Sequence, residues 1–240
     1  MNIYICKDAN DLGQRAAATA AEYLSGVIAE NGSARIVVST GSSQFETLEA
    51  LTASDVDWSR VEMFHLDEYV NLPESHPASF RKYLKERFIS KVSLLDYHLV
   101  DGDPGSVPAL TGKLLEKPVD LGLIGIGENG HIAFNDPPAD FDTRDAYIVV
   151  NLDDACKRQQ VGEGWFQTVD DVPKQAISMT VHRIMQCKKI ISCVPHAVKA
   201  NAVKGALYGE VSPLLPAAIL RTHPDWSLFV DENSAKYVER

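Results

Sequence analysis

Val119-Asp120-Leu121-Gly122-Leu123-Ile124-Gly125-Ile126-Gly127-Glu128-Asn129-Gly130-His131-Ile132-Ala133-Phe134-Asn135-Asp136-Pro137 carries the clearest statement of architecture in the chain. Val119 to Ile126 is an apolar run that reads as a buried parallel strand. Gly125, Gly127 and Gly130 then make a turn in which the backbone can approach a ligand closely. His131 follows the turn directly, with Asn129 before it and Asp136 after it. An imidazole, an amide and a carboxylate thus stand at the carboxyl end of a central strand, where open α/β sheets bind ligands.

Similar alternation runs outward from this stretch. Asn2–Cys6, Arg35–Val38, Val61–Leu66, Ala146–Val150, Lys188–Val194 and Trp226–Val230 read as strands. Helical patterns lie between them. Asp8 is placed to cap a helix to about Ala29, Gln44–Leu51 is a second, Pro77 opens a third to about Ile89, and His196–Leu207 ends at Gly209. Asp101–Pro108 reads as a surface loop. The fold expected is α/β, a Rossmann-like, doubly wound, mostly parallel sheet with helices on both faces. With no linker in the sequence, 1–240 is expected to be a single domain.

Composition narrows the partners. A hydrophobic share of 45% and a charged share of 23% suit a globular protein. The net charge of −10 disfavours nucleic acid and anionic membranes. It leaves room for a small anion, provided the site supplies its own N–H groups and cations. Cys6, Cys156, Cys187 and Cys193 show no metal-ligand or redox spacing. There is no signal-peptide pattern and no apolar run of membrane-spanning length. A cytoplasmic setting with four free thiols is the expectation.

Four constellations carry chemistry. Ser39-Thr40-Gly41-Ser42-Ser43, between a strand and a helix, offers free N–H groups and hydroxyls to a phosphate, or is simply a capped turn. Phe64-His65-Leu66-Asp67-Glu68-Tyr69 ends a strand in two acids. A carboxylate there is a candidate proton shuttle, and the plain alternative has Asp67 capping a turn with Glu68 solvated. His131 is suited to proton transfer near neutrality, with Asp136 as a neighbour that would fix its tautomer. Lys199 lies in the first turn of a helix, where the dipole disfavours a cation unless the two share an anion; otherwise it is a solvated surface lysine. The seven histidines lack H-E-x-x-H or H-x-H spacing, there is no G-x-S-x-G elbow, and the glycine turn is not a dinucleotide fingerprint. No metal and no cofactor are therefore expected.

Taken together, Ser39–Ser43, then Leu66-Asp67-Glu68-Tyr69-Val70-x-Leu72-Pro73 with His76-Pro77 and Ser79, then Gly127-x-Asn129-Gly130-His131-Ile132-Ala133-Phe134-Asn135 resemble the glucosamine-6-phosphate deaminase (isomerase) family. The agreement in order and spacing runs from about Arg35 to Ser234. The related 6-phosphogluconolactonases share the fold but usually show Asp-Glu-Arg and Gly-His-Thr-Ala-Ser at the two diagnostic places. The resemblance implies a metal-free aldose–ketose isomerisation of an amino-sugar phosphate with loss of ammonia. It implies that His131 moves the proton that opens the sugar ring, that Asn129 and Asp136 hold His131, and that Asp67 shuttles a proton between C2 and C1. Gly41, Ser42, Ser43 and Lys199 would grip the phosphate.

The chain also departs from the family. Asn129 stands where many members have aspartate, and Asp136 where most have glutamate. Being one methylene shorter, Asp136 is expected to need a backbone shift or a bridging water to reach His131. The family's phosphate-binding arginine aligns near Gly164, and Arg158 is the candidate replacement. Pro137–Asp140 and residues 153–166 are candidate lids. A lactone hydrolase and a non-catalytic sugar-phosphate sensor remain as alternatives, and oligomeric state is open.

Overall fold

The computed structural model describes residues 1–239. In chain order its elements are β1 (Asn2–Cys6), α1 (Ala9–Asn31), β2 (Ala34–Val38), α2 (Phe45–Thr52), β3 (Val61–His65), β4 (Asp67–Tyr69), α3 (Phe80–Arg87), β5 (Asp96–His98) and α4 (Val107–Leu115). They continue with β6 (Leu121–Leu123), β7 (Tyr147–Asn151), α5 (Asp154–Gly162), β8 (Gln175–Met179), α6 (Val181–Ile184), β9 (Lys189–Val194), α7 (Ala200–Tyr208) and β10 (Trp226–Asp231). Seven strands form one sheet in the order β1-β10-β9-β6-β2-β3-β5, and every neighbouring pair is parallel.

Side-chain alternation explains why helices cover both faces. On β2, Ile36 and Val38 join a core with Leu12 and Leu24 of α1, Leu48 of α2 and Leu84 of α3. Val37 points the other way, into a core with Leu114 of α4, Ile184 of α6 and Val203 of α7. This is the doubly wound arrangement expected from the alternation of strands and helices. Arg35 ties the layers together. It pairs with Glu62 at 2.7 Å and donates to the carbonyls of Lys113 and Leu114 at the end of α4, where the helix dipole favours a cation.

The strand order reverses between β2 and β6. From β2 the chain winds out through β3 and β5, then returns to β6 on the opposite side and continues through β9 and β10. The loops after β2 and β6 therefore diverge at a switch point, the crevice where such sheets take ligands. Beyond its short ladder β6 stays pinned, with Ser39 N–H donating to Leu123 O at 3.0 Å and Ile124 N–H to Ile191 O at 2.9 Å.

Several elements differ from the sequence expectation. The third helix starts at Phe80 and is capped by Ser79, whose Oγ accepts from Lys82 N; Pro77 lies before it. Ala146–Val150 belongs to a separate antiparallel sheet, β4-β8-β7, with strands too short and mixed to stand out by pattern. The expected surface loop after Asp101 gives way at Val107 to α4. Asp8 does cap α1, accepting from Asp11 N, and α1 stops at Gly32 in a left-handed conformation.

Candidate active site

One pocket collects the ends of β2, β3, β6 and β9. It is lined by Ser39–Ser43, Asp67, Gly125–Gly127, His131 and Lys199 from below, and by Gln159, Gln160, Glu163 and Trp165 from α5 and the residues after it. Asp67, His131, Gly41, Ser42, Ser43 and Lys199 are thereby brought together from stretches far apart in sequence. Arg158 is not among them. It is exposed and borders a neighbouring surface groove with Glu128, Asn129 and Val198. The reason is helical: Cys156 and Gln160 are the buried positions of α5, and a residue two places from each falls on the opposite side.

Asp67 is 5% exposed at the start of β4. Burial pushes its carboxyl well above the usual carboxylate range, and the neighbouring Glu68 adds to the rise. Glu68 is not solvated, contrary to the plain alternative. It is fully buried and accepts from Ser79 Oγ at 2.9 Å, Arg81 N at 2.9 Å, Tyr69 N at 3.0 Å and Phe80 N at 3.3 Å. Arg81 Nε lies 3.2 Å away. Glu68 thus anchors the amino end of α3, where unpaired N–H groups and the dipole favour an anion. Burial raises the Glu68 carboxyl above its usual range, against the pull of these donors and of Arg81.

The glycine turn sets His131. Gly127 N–H donates to His131 O at 2.9 Å and Gly130 N–H to Gly127 O at 3.1 Å. A Cβ on Gly127 would lie 2.2 Å from Nε2 and Cε1 of His131, so the imidazole rests on bare backbone and only glycine fits beneath it. Gly130 closes the turn at φ +85°. Asn129 Oδ1 accepts from His131 N at 3.0 Å, while its Nδ2 donates to Asp136 Oδ1 at 3.3 Å.

Asp136 reaches His131 directly. Nδ1 lies 3.0 Å from Oδ1, so the expected bridging water is unnecessary. The segment between them is tightly folded: Ala133 takes φ +50°, and Asn135 N–H folds back to Ile132 O at 3.1 Å. The contact is at ion-pair distance but off the N–H line, leaving Nδ1 of His131 and Oδ2 of Asp136 without a hydrogen-bond partner. Burial raises the Asp136 carboxyl, but His131, then Asn129 and the Cys156 thiol, outweigh it and hold it below the usual range.

Lys199 is 6% exposed, in a short helical turn that runs into α7, so it is not a surface lysine. Burial lowers its ammonium, which Glu163 and Glu128 partly restore. No carboxylate lies within ion-pairing distance of it among the described residues. Sequence reasoning missed Glu163, whose carboxylate enters the same pocket. It accepts from Gln159 Nε2 at 2.7 Å, Trp165 Nε1 at 3.1 Å and Ser42 Oγ at 3.4 Å. Its only sequence signal is the i,i+4 spacing from Gln159 on α5.

Two clusters have metal-ligand chemistry among the described residues. Glu62, Asp96 and His98 form one, but Glu62 is already paired with Arg35. His131, Asp136 and Cys156 form the other. No helix among the described residues is long and apolar enough to cross a membrane.

Fold and pocket define the class, an α/β enzyme with its reactive groups at the carboxyl edge of a parallel sheet. Residues 7–228 match the model of the glucosamine-6-phosphate isomerases/6-phosphogluconolactonase family, and the chain belongs to that family. A glucosamine-6-phosphate deaminase of Lactobacillus delbrueckii subsp. bulgaricus is 32% identical over 245 residues, covering 100% of both chains. One from Streptococcus pneumoniae is 35% identical over 214 residues, 88% of this chain and 89% of its own. A solved monomeric glucosamine-6-phosphate deaminase superposes with a TM-score of 0.87 at 27% identity, covering 98% of this chain and 99% of its own. A 6-phosphogluconolactonase from Shewanella baltica, at 18% identity and a TM-score of 0.78 over 96% and 97%, shares the fold.

Proposed function

We propose that the chain converts an amino-sugar 6-phosphate, glucosamine 6-phosphate or a close epimer, into the ketose phosphate and ammonia. The observation that carries this reading is a buried carboxyl with raised proton affinity, Asp67, in one pocket with the His131–Asp136 pair. Moving a proton between adjacent carbons needs one group that takes it and returns it, and a carboxyl tuned toward neutrality is suited to that. With Nδ1 turned to Asp136, His131 has Nε2 left for the substrate. It shifts the proton between ring oxygen and C1 hydroxyl that opens the pyranose. Asp67 then carries a proton from C2 to C1 through an enolamine, and water hydrolyses the resulting imine to release ammonia.

Lys199 and the Gly41–Ser43 loop, at the switch point of the sheet, hold the phosphate. Asn129 and Asp136 orient His131. Arg158, exposed as it is, has no part in this assignment.

The test is ammonia release from glucosamine 6-phosphate and from its galactosamine epimer by the purified protein. Release from neither sinks the proposal. In deuterated water, label should appear at C1 of the product. Lactone hydrolysis, the chemistry of the other branch, moves no carbon-bound proton and gives no label.

A further inference from the structure

We propose that His131, Asp136 and Cys156 form a binding site for a divalent ion of borderline softness, zinc above all, and that the ion shuts the enzyme off. Nδ1 of His131, a carboxylate oxygen of Asp136 and Sγ of Cys156 all lie within 4.8 Å of one another. They come from two elements, the turn after β6 and the first turn of α5. The Asp136 side chain is 7% exposed, and Cys156 is 1% exposed.

Two of the three groups carry an atom without a hydrogen-bond partner. His131 Nδ1 and Asp136 Oδ2 are buried without a hydrogen bond, and such atoms are costly unless something satisfies them. An ion between them and Sγ would satisfy both. Imidazole, carboxylate and thiolate are the donors zinc takes, and three protein ligands with an open fourth position make its open-site pattern. Zinc bonds of about 2.0–2.3 Å set tetrahedral ligand atoms roughly 3.3–3.6 Å apart, so Nδ1 and Oδ1, now 3.0 Å apart, have to part slightly while the wider separations, all within 4.8 Å, close. The fourth position goes to water.

Binding has a definite proton balance. The Cys156 thiol gives its proton to solvent and binds as thiolate. His131 binds through the Nδ1 lone pair, so its ring proton must sit on Nε2. In the reaction proposed above, the ring proton sits on Nδ1, facing Asp136, and Nε2 is the acceptor. The ion therefore turns the working nitrogen from acceptor to donor. The shut-off rests on that proposed role of His131; the binding does not.

The experiment uses the intact reduced protein and cobalt(II) as a spectroscopic probe. One equivalent should produce a thiolate-to-cobalt charge-transfer band in the near ultraviolet, and zinc should displace it. Cys156→Ala should lose the band and weaken zinc binding by more than the about 10–100-fold that outer-shell changes cost. If Cys156→Ala does not fold, Cys156→Ser, which keeps the size of the side chain, makes the same comparison. No band in the unaltered protein, or a band that survives in the folded variant, overturns the site. Zinc should stop ammonia release over the concentration range in which it binds. Binding without inhibition would leave the site standing and overturn the tautomer switch, and absent ammonia release without zinc would count only against the proposed function.

Discussion

The floor of the pocket, made by the ends of β2, β3 and β6, and its roof, made by α5 and the residues to Phe166, enclose the same space but are held by different forces. Floor residues continue strands whose side chains fill the two main cores. His131 rests on Gly127 backbone, and Glu68 is fastened by five contacts to α3 and its own strand. The roof is tied by Tyr69 Oη–H to Gln160 Oε1 at 2.8 Å and by Glu163 to Ser42 at 3.4 Å. It packs on a small satellite core of Tyr69, Phe80, Phe134 and Phe166. Proton transfer needs fixed distances and belongs on the floor, whereas a part that must admit ligand can be held by few contacts.

The contrast can be broken by substitution. Asp67→Asn should lower ammonia release by about 10⁴-fold while phosphate-dependent binding changes little. It should also raise the melting temperature. Because the folded pKa of Asp67 lies above its unfolded value, the ionised carboxyl costs stability above the folded pKa, and that cost fades as pH falls through it. The stability advantage of the Asp67→Asn variant over the parent should therefore shrink on acidification. Equal loss of binding in Asp67→Asn would make Asp67 structural and blur floor with roof.

Gly127→Ala comes next. The added methyl must displace the imidazole, and a shift of about 1 Å is enough to cost ~10²-fold in kcat. A normal rate would show that His131 needs no fixed seat. Lys199→Met should act mainly on KM, raising it about 10–100-fold, the worth of a charge-assisted contact. A pure kcat loss would move Lys199 from the phosphate end to the chemistry. Smallest is Glu163→Gln. Removing a negative charge beside the phosphate loop should lower KM by about two- to fivefold, and more at low salt. A kcat change as large as that of Gly127→Ala would show that the roof takes part in catalysis.

The same division governs what the sequence discloses. The floor is carried by contiguous runs, an apolar strand leading into a turn of glycines or small residues, so Ser39–Ser43, Asp67 and His131 are readable from neighbours in the chain. Lys199 is readable because a cation at a helix start is anomalous. The roof answers to partners far away: Gln160 meets Tyr69, and Glu163 meets Ser42. Beyond the i,i+4 spacing of Gln159 and Glu163, nothing near α5 in the chain announces them, and Arg158, which charge suggests, lies on the exposed side of the helix. Asp136 is legible only in part. Its shorter side chain beside the family's glutamate suggests a backbone shift or a bridging water, and the direct approach of Oδ1 to Nδ1 at 3.0 Å depends on a backbone path that side-chain chemistry does not disclose. Strands β4 and β8 escape because a three-residue strand and its partner carry no period of their own.

The roof helix is inserted between β7 and β8, and β8 pairs with β4, register Asp67 to Ser178. Reciprocity then constrains any ligand that enters. On the proposed assignment, a phosphate dianion held by Lys199 would place further negative charge in a space walled by buried groups, which would raise the proton affinity of Asp67. Linkage requires the converse by the same factor: each time Asp67 gives up its proton, the hold on the phosphate weakens. On that assignment the cycle of taking and returning the proton would also be a cycle of loosening and regripping the far end of the sugar, with release of product favoured from the ionised state.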